Sequence, residues 1–197
     1  IDSAENLGFE VRFIDIPSME GILVTGLQNS ILLSSLRPAV RRNFTCAHEI
    51  GHYQMGHGQQ FDELMEDRRA SRSVDPLEFA ADCFAAYYLM PKCAIDYGMS
   101  RRGYLYRQLK PREVYAVSNW LGIGYATLIN QLLYGIRSIT RSAAQTLLDA
   151  KLPAIRRELA GQQLTGNCHL MDHAWTGRAL DCEVGDSILV SGRHTCE

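Results

Sequence analysis

AVRRNFTCAHEIGHYQMG, residues 39–56, is the stretch on which the reading of this chain turns. Phe44, Ala47, Ile50 and Gly51 recur at helical spacing, Pro38 stands just before the run, and Gly56 and Gly58 stop it, so a helix is predicted here. Residues four apart on a helix stand one above the other, and His48 and His52 can therefore offer two imidazoles to one tetrahedral ion. Glu49 is rotated by about 100° from His48. That direction is wrong for replacing a histidine ligand but suits a general base reaching the attacking water. An HExxH match arises by chance in roughly one chain per hundred of this composition, so the surrounding sequence has to decide its meaning.

The next helix supplies that context. LEFAADCFAAYYLM (residues 77–90) is helical in composition, opened by Asp75-Pro76 and closed by Pro91. Glu78 and Asp82 fall on one face of it at i, i+4 spacing within an otherwise apolar run. A hydrolytic zinc centre needs a third protein ligand and one open position, and two His with one Glu form a known catalytic set. Glu78 is therefore assigned to zinc, and Asp82 is expected to accept the free ring N–H of a liganding histidine and fix its orientation. His57 invites comparison with the HExxHxxGxxH pattern, but it follows His52 by five residues instead of six, and Gly56 comes one residue too late. It is read as a histidine just past a helix end.

Outward from these helices, FEVRFIDI (9–16), GILVTG (21–26) and SILLSS (30–35) read as strands of a small, mainly antiparallel sheet. The charged run between His57 and Pro76 reads as a surface connection with at most a short helix. Helical patterns recur at Pro111–Trp120, Gly124–Gly135 and Ser142–Leu159, and short β-type runs such as DSILVSG (186–192) follow Gly161. The expected class is α+β: a small antiparallel sheet packed on a helical bundle that bears the HExxH helix, with a short irregular β tail. Residues 1–140 are taken as the principal domain, 141–160 as a helical extension and 161–197 as a β-rich tail.

The chain has 197 residues, 46% hydrophobic and 21% charged, an ordinary globular composition. Lys and Arg (20) balance Asp and Glu (22), which leaves no global field for a phosphate backbone, and direct nucleic-acid binding is not expected. With neither a membrane-length apolar run nor a signal-peptide pattern in the N-terminal IDSAENLGFE, a cytoplasmic, reducing location is expected. The six Cys then read as small hydrophobes or metal ligands. The sequence starts at Ile1 and leaves open a domain before it.

FTCAHEIGHYQMGH followed by EFAADCFAAYYLMP closely resembles the ImmA/IrrE metallopeptidases, over roughly residues 7–140. The resemblance implies zinc held by His48, His52 and Glu78, with Glu49 as the base. It departs at Ala80, where members often carry a second Glu, and at Asp82, where Asn is common. It also implies a protein substrate, a helix-turn-helix repressor of the Xre type whose cleavage relieves repression in mobile elements or under stress. VSNWLGIGYATLINQLLYGI looks like the helix-turn-helix-like unit of the family, at about 111–136. Its second helix carries no Lys or Arg, which favours core packing or repressor docking over DNA reading. Two other readings stay open: a non-proteolytic module that binds a repressor or toxin, and a ligand- or metal-sensing domain of a DNA-binding regulator.

Tyr53, Tyr87, Tyr88 and Tyr115 are candidate donors to the oxyanion of a tetrahedral intermediate. GILVTG reads equally as an edge strand for an extended substrate and as an interior strand. Cys168, Cys182 and Cys196 recur near His169, His173 and His194, but without a CxxC pair a second, structural zinc in the tail is not expected. The paired arginines 41–42, 68–69, 101–102 and 156–157 read as solvated faces.

Overall fold

The computed structural model describes residues 1–58, 61–63, 75–164, 166–176, 180 and 182–191, and of 61–63 and 191 only the backbone. Two compact units divide the chain, Ile1–Leu89 and Met90–Glu197.

In the first unit a short helix α1 (Asp2–Asn6) precedes strands β1 (Glu10–Ile14), β2 (Met19–Val24) and β3 (Ser30–Ser34). Helix α2 (Ala39–Gln54), a short strand β4 (Phe61–Glu63) and helix α3 (Pro76–Leu89) follow. The sheet has the order β1-β3-β2-β4. It is mixed, since β3 pairs antiparallel with β2 but parallel with β1. The β2–β3 hairpin folds β3, the most apolar strand, into the centre, where Ile31 and Leu33 are fully buried. This leaves β1, with its exposed Arg12 and Phe13, at the margin. One expectation changes around β2 and one open reading is settled. Part of the presumed surface connection, Phe61–Glu63, is a strand, and it covers Met19–Ile22, so GILVTG is an interior strand along that length. Residues 59–60 and 64–74 of that connection, Arg68-Arg69 among them, lie outside the described residues.

The first core gathers Ala4, Phe9, Leu23, Ile31, Leu33, Cys46 and Ile50, with Ile1, Val11 and Phe84 packed against it. Helix α2 is buried on every side from Thr45 to His52, which explains why a run with polar His48, Glu49 and His52 forms no simple amphipathic stripe. Helix α3 starts as its sequence directs, with Asp75 Oδ1 accepting the backbone N–H of Leu77 at 2.9 Å and Pro76 in the first turn. Arg41–Arg42 is not a solvated pair: Arg41 Nε lies 3.0 Å from the buried Glu20, and the Arg42 guanidinium caps the Phe13 ring.

In the second unit, helix α4 (Lys92–Ser100) was not legible as a helix behind Pro91. Helix α5 (Pro111–Leu121) is followed by α6 (Tyr125–Asn130), which runs on through a π-helical turn, Gln131–Gly135. Tyr125, Leu128, Ile129, Gln131 and Leu132 of that segment are buried. The single helix expected at Ser142–Leu159 is two, α7 (Arg141–Asp149) and α8 (Leu152–Ala160), because Pro153 fits a first helical turn and cannot continue one. The tail forms a parallel pair, β5 (Cys168–Asp172) and β6 (Ser187–Ser191). Tyr115 and Asn119 of α5 hold β5, through the Cys168 carbonyl and the Leu170 N–H. Arg102, read from sequence as solvated, is buried and binds both Asp172 oxygens, at 2.6 and 2.8 Å.

Candidate metal centre

Helix α2 lies between the sheet and α3, and two glycines set how close each can come. A Cβ on Gly51 would sit 3.1–3.2 Å from Phe84 of α3, so the bare backbone there allows the two helices to approach. A Cβ on Gly21 of β2 would run into Thr45 Cγ2 and sit 3.0 Å from Glu49 Oε1. Thr45 and Glu49, one turn apart, therefore face the sheet, and Glu49 is completely buried.

His48 and His52 are turned toward α3. Their Nε2 atoms are 2.9 Å apart, His48 Nε2 is 3.4 Å from Glu78 Oε2, and His52 Nε2 is 3.4 Å from Glu78 Oε1. Ligand atoms bound to one tetrahedral ion at about 2.0–2.1 Å stand ~3.3 Å from one another. The observed separations, 3.4 Å from each Nε2 to one or the other Glu78 oxygen and 2.9 Å between the two nitrogens, are thus already near the size an ion requires. Two imidazole nitrogens and a carboxylate are also a donor set matched to such an ion. Among the described residues, this is the group of three that could hold a metal.

Asp82, one turn beyond Glu78, places Oδ1 2.9 Å from His48 Nδ1. The ring nitrogen facing away from Glu78 thus meets a carboxylate. His57 does not join the group: its Nδ1 lies 3.0 Å from His52 Nδ1, on the opposite side of that ring. The sequence pattern gave no role to His57 behind His52, nor to the close approaches at Gly21 and Gly51. Only the glycines inside a strand and a helix signalled the latter.

The four tyrosines separate. Tyr53 packs edge-on against Phe9, and its hydroxyl accepts from Asn29 Nδ2 at 3.1 Å. Tyr115 donates to the Cys168 carbonyl, and burial, with the nearby Cys168 thiol, pushes its pKa up to about 12. Tyr87 and Tyr88 are partly exposed on α3, Tyr88 stacked on Phe84. In the tail, His169 bonds Asp186 and His173 bonds the Arg101 carbonyl, while His194 and Cys196 lie outside the described residues.

A helix pair brings two imidazoles and a carboxylate together, with a buried glutamate beside them, in a group that could hold a metal ion. Comparison with known families agrees: the profile of the peptidase family described as the IrrE N-terminal-like domain matches residues 4–119. The match takes in more than half of the chain, and the chain belongs to that family. It is accordingly a peptidase, a hydrolase acting on protein or peptide. A search among curated proteins gave no match. Among the described residues no helix is long and apolar enough to cross a membrane.

Proposed function

We propose that the chain is a zinc-dependent endopeptidase that cleaves a helix-turn-helix repressor of the Xre type and so relieves repression. The observation that carries the catalytic part is the convergence of His48 Nε2, His52 Nε2 and the Glu78 carboxylate, with Glu49 fully buried one residue after the first ligand. His48, His52 and Glu78 hold the ion. A zinc ion held there would supply Lewis acidity toward the scissile carbonyl and the attacking water. Glu49 takes the proton of the attacking water and returns it to the leaving amine. Its burial against Gly21 keeps the carboxylate from dispersing into solvent, and Asp82 keeps the His48 ring in register. Tyr87 and Tyr88 remain candidate oxyanion donors. The repressor substrate, and with it a role in transcriptional regulation, stress response or mobile elements, rests on the resemblance of FTCAHEIGHYQMGH and EFAADCFAAYYLMP to the ImmA/IrrE proteins.

The test is incubation of the zinc-loaded protein with the repressor encoded beside its gene, with fragments read by mass spectrometry. Cleavage by wild type, and a fall of at least about 100-fold in Glu49→Gln with zinc still bound, is the expected result. A stable complex left uncut with zinc supplied would favour a binding module instead. A purified wild-type protein that takes up no zinc would remove the reading altogether.

A further inference from the structure

Helix α2 ends in a particular way. Gly56 adopts φ +69°, its N–H bonds the Tyr53 carbonyl at 3.1 Å, and the His57 N–H reaches back to the His52 carbonyl at 3.0 Å. These two bonds, five-to-two and six-to-one, are the Schellman motif, with Gly56 as its left-handed residue. The motif places the residue after the glycine against the one five positions earlier, commonly as an apolar contact. The same closure ends α5, with Gly122 in the left-handed conformation and the buried Ile123 after it. At the end of α2 the two positions are His57 and His52, and their rings meet edge to face with centroids 5.0 Å apart.

The contact is directional. His52 is completely buried and turns Nε2 toward His48 and Glu78, so only Nδ1 is left to face His57, at 3.0 Å. If Nε2 supplies its lone pair to an ion, the ring proton of His52 resides on Nδ1, and the partner there must accept. His57 Nδ1 can accept once its own proton sits on Nε2. We propose that His57 is a positioning residue for the metal centre: delivered by the helix cap, it accepts the Nδ1 hydrogen of His52 and fixes that ring toward the ion. The inference rests on the zinc-binding reading given above. The two ligands are then backed unequally, His48 by a carboxylate and His52 by an imidazole.

Metal-free full-length protein is titrated with zinc against a chromogenic chelator, and the visible spectrum of the cobalt-loaded form is recorded, for wild type, His57→Phe and His57→Asn. Phenylalanine keeps a ring but has no acceptor, whereas the Asn side-chain oxygen can stand close to the place of Nδ1. We expect His57→Phe to bind zinc roughly 10–100-fold more weakly, with altered cobalt bands, and His57→Asn to recover most of the affinity and the wild-type spectrum. The melting midpoint of the metal-free protein should stay close to wild type in both. Wild-type affinity and spectrum in His57→Phe would overturn the proposal, as would equal weakening in both variants. A metal-free midpoint lowered enough in His57→Phe to account for the loss would point to a packing role and overturn it too. Absence of zinc binding by wild type would instead strike the underlying reading, a distinguishable outcome.

Discussion

Oδ1 of Asp82 lies 2.9 Å from Nδ1 of His48, a bond between the second acid of α3 and the first histidine of α2. Glu78 and Asp82, one turn apart, thereby address the two nitrogens of the same imidazole, Glu78 on the Nε2 side and Asp82 on the Nδ1 side. Helical periodicity is what makes this possible: a single residue slip in α3 would rotate both acids by about 100° and lose both contacts.

The first prediction follows from that bond. Asp82→Ala removes the acceptor and frees the His48 ring to rotate, and zinc affinity should fall by about 10–100-fold. Asp82→Asn keeps an oxygen that can accept the same hydrogen, so its loss should be distinctly smaller. Competition titration with a chelator measures both. Wild-type affinity in Asp82→Ala would show that the bond does not orient the ligand.

A second prediction concerns the sheet side of α2. Alanine at Gly21 would drive a Cβ into Thr45 Cγ2 and to 3.0 Å from Glu49 Oε1. Thr45 is buried and Glu49 completely so. Overpacking of this kind costs about 1–3 kcal/mol. Gly21→Ala should be less stable by that amount in denaturant unfolding, and peptidase activity should fall because the Glu49 carboxylate is pushed. Thr45→Ser in the same chain removes the offending methyl and should restore part of the stability. A double variant no better than the single one would place the strain elsewhere.

These residues also mark what the sequence could disclose. The i, i+4 spacing of His48 with His52, and of Glu78 with Asp82, is local to one helix each and is legible at 3.6 residues per turn, whereas the meeting of the two pairs rests on the known His2Glu ligand set and the family resemblance. Where the chain meets itself over long range, legibility ended. The parallel pairing of β1 with β3, and β4 closing the edge of β2, depend on which strands come together rather than on their own patterns. Helix α4 has no distinct signal of its own, since Pro91 closes the preceding helix and equally stands before the start of α4. Pro153 signals the break between α7 and α8, while the apolar period runs on across it and masks the break. His57 shows the subtler limit. Its distance along the chain was compared with a ligand pattern, while the Gly56-His57 pair was also a helix-cap signature whose consequence lay on the other face of His52.

The third prediction tests what fastens the tail strand within the second unit. Arg102 is 7% exposed, binds both oxygens of Asp172 from Nε and Nη2, and donates from Nη1 to the Gly98 carbonyl at 3.0 Å. Its guanidinium also lies over the Trp120 ring, 5.6 Å from the centroid. Removing one member of a buried pair leaves the other charge uncompensated, which typically costs about 3–5 kcal/mol, whereas removing both leaves no stranded charge. Arg102→Met should therefore destabilise the unit strongly, and Arg102→Met with Asp172→Leu should recover much of the loss. Asp172 Oδ1 also accepts the Ala174 N–H, so the recovery should stop short of wild type. Trp120 gives a fluorescence probe of the site, and its change on unfolding in denaturant reads the stability of each variant. Equal destabilisation in the single and the double variant would show that the loss comes from packing of the arginine stem and not from the stranded carboxylate.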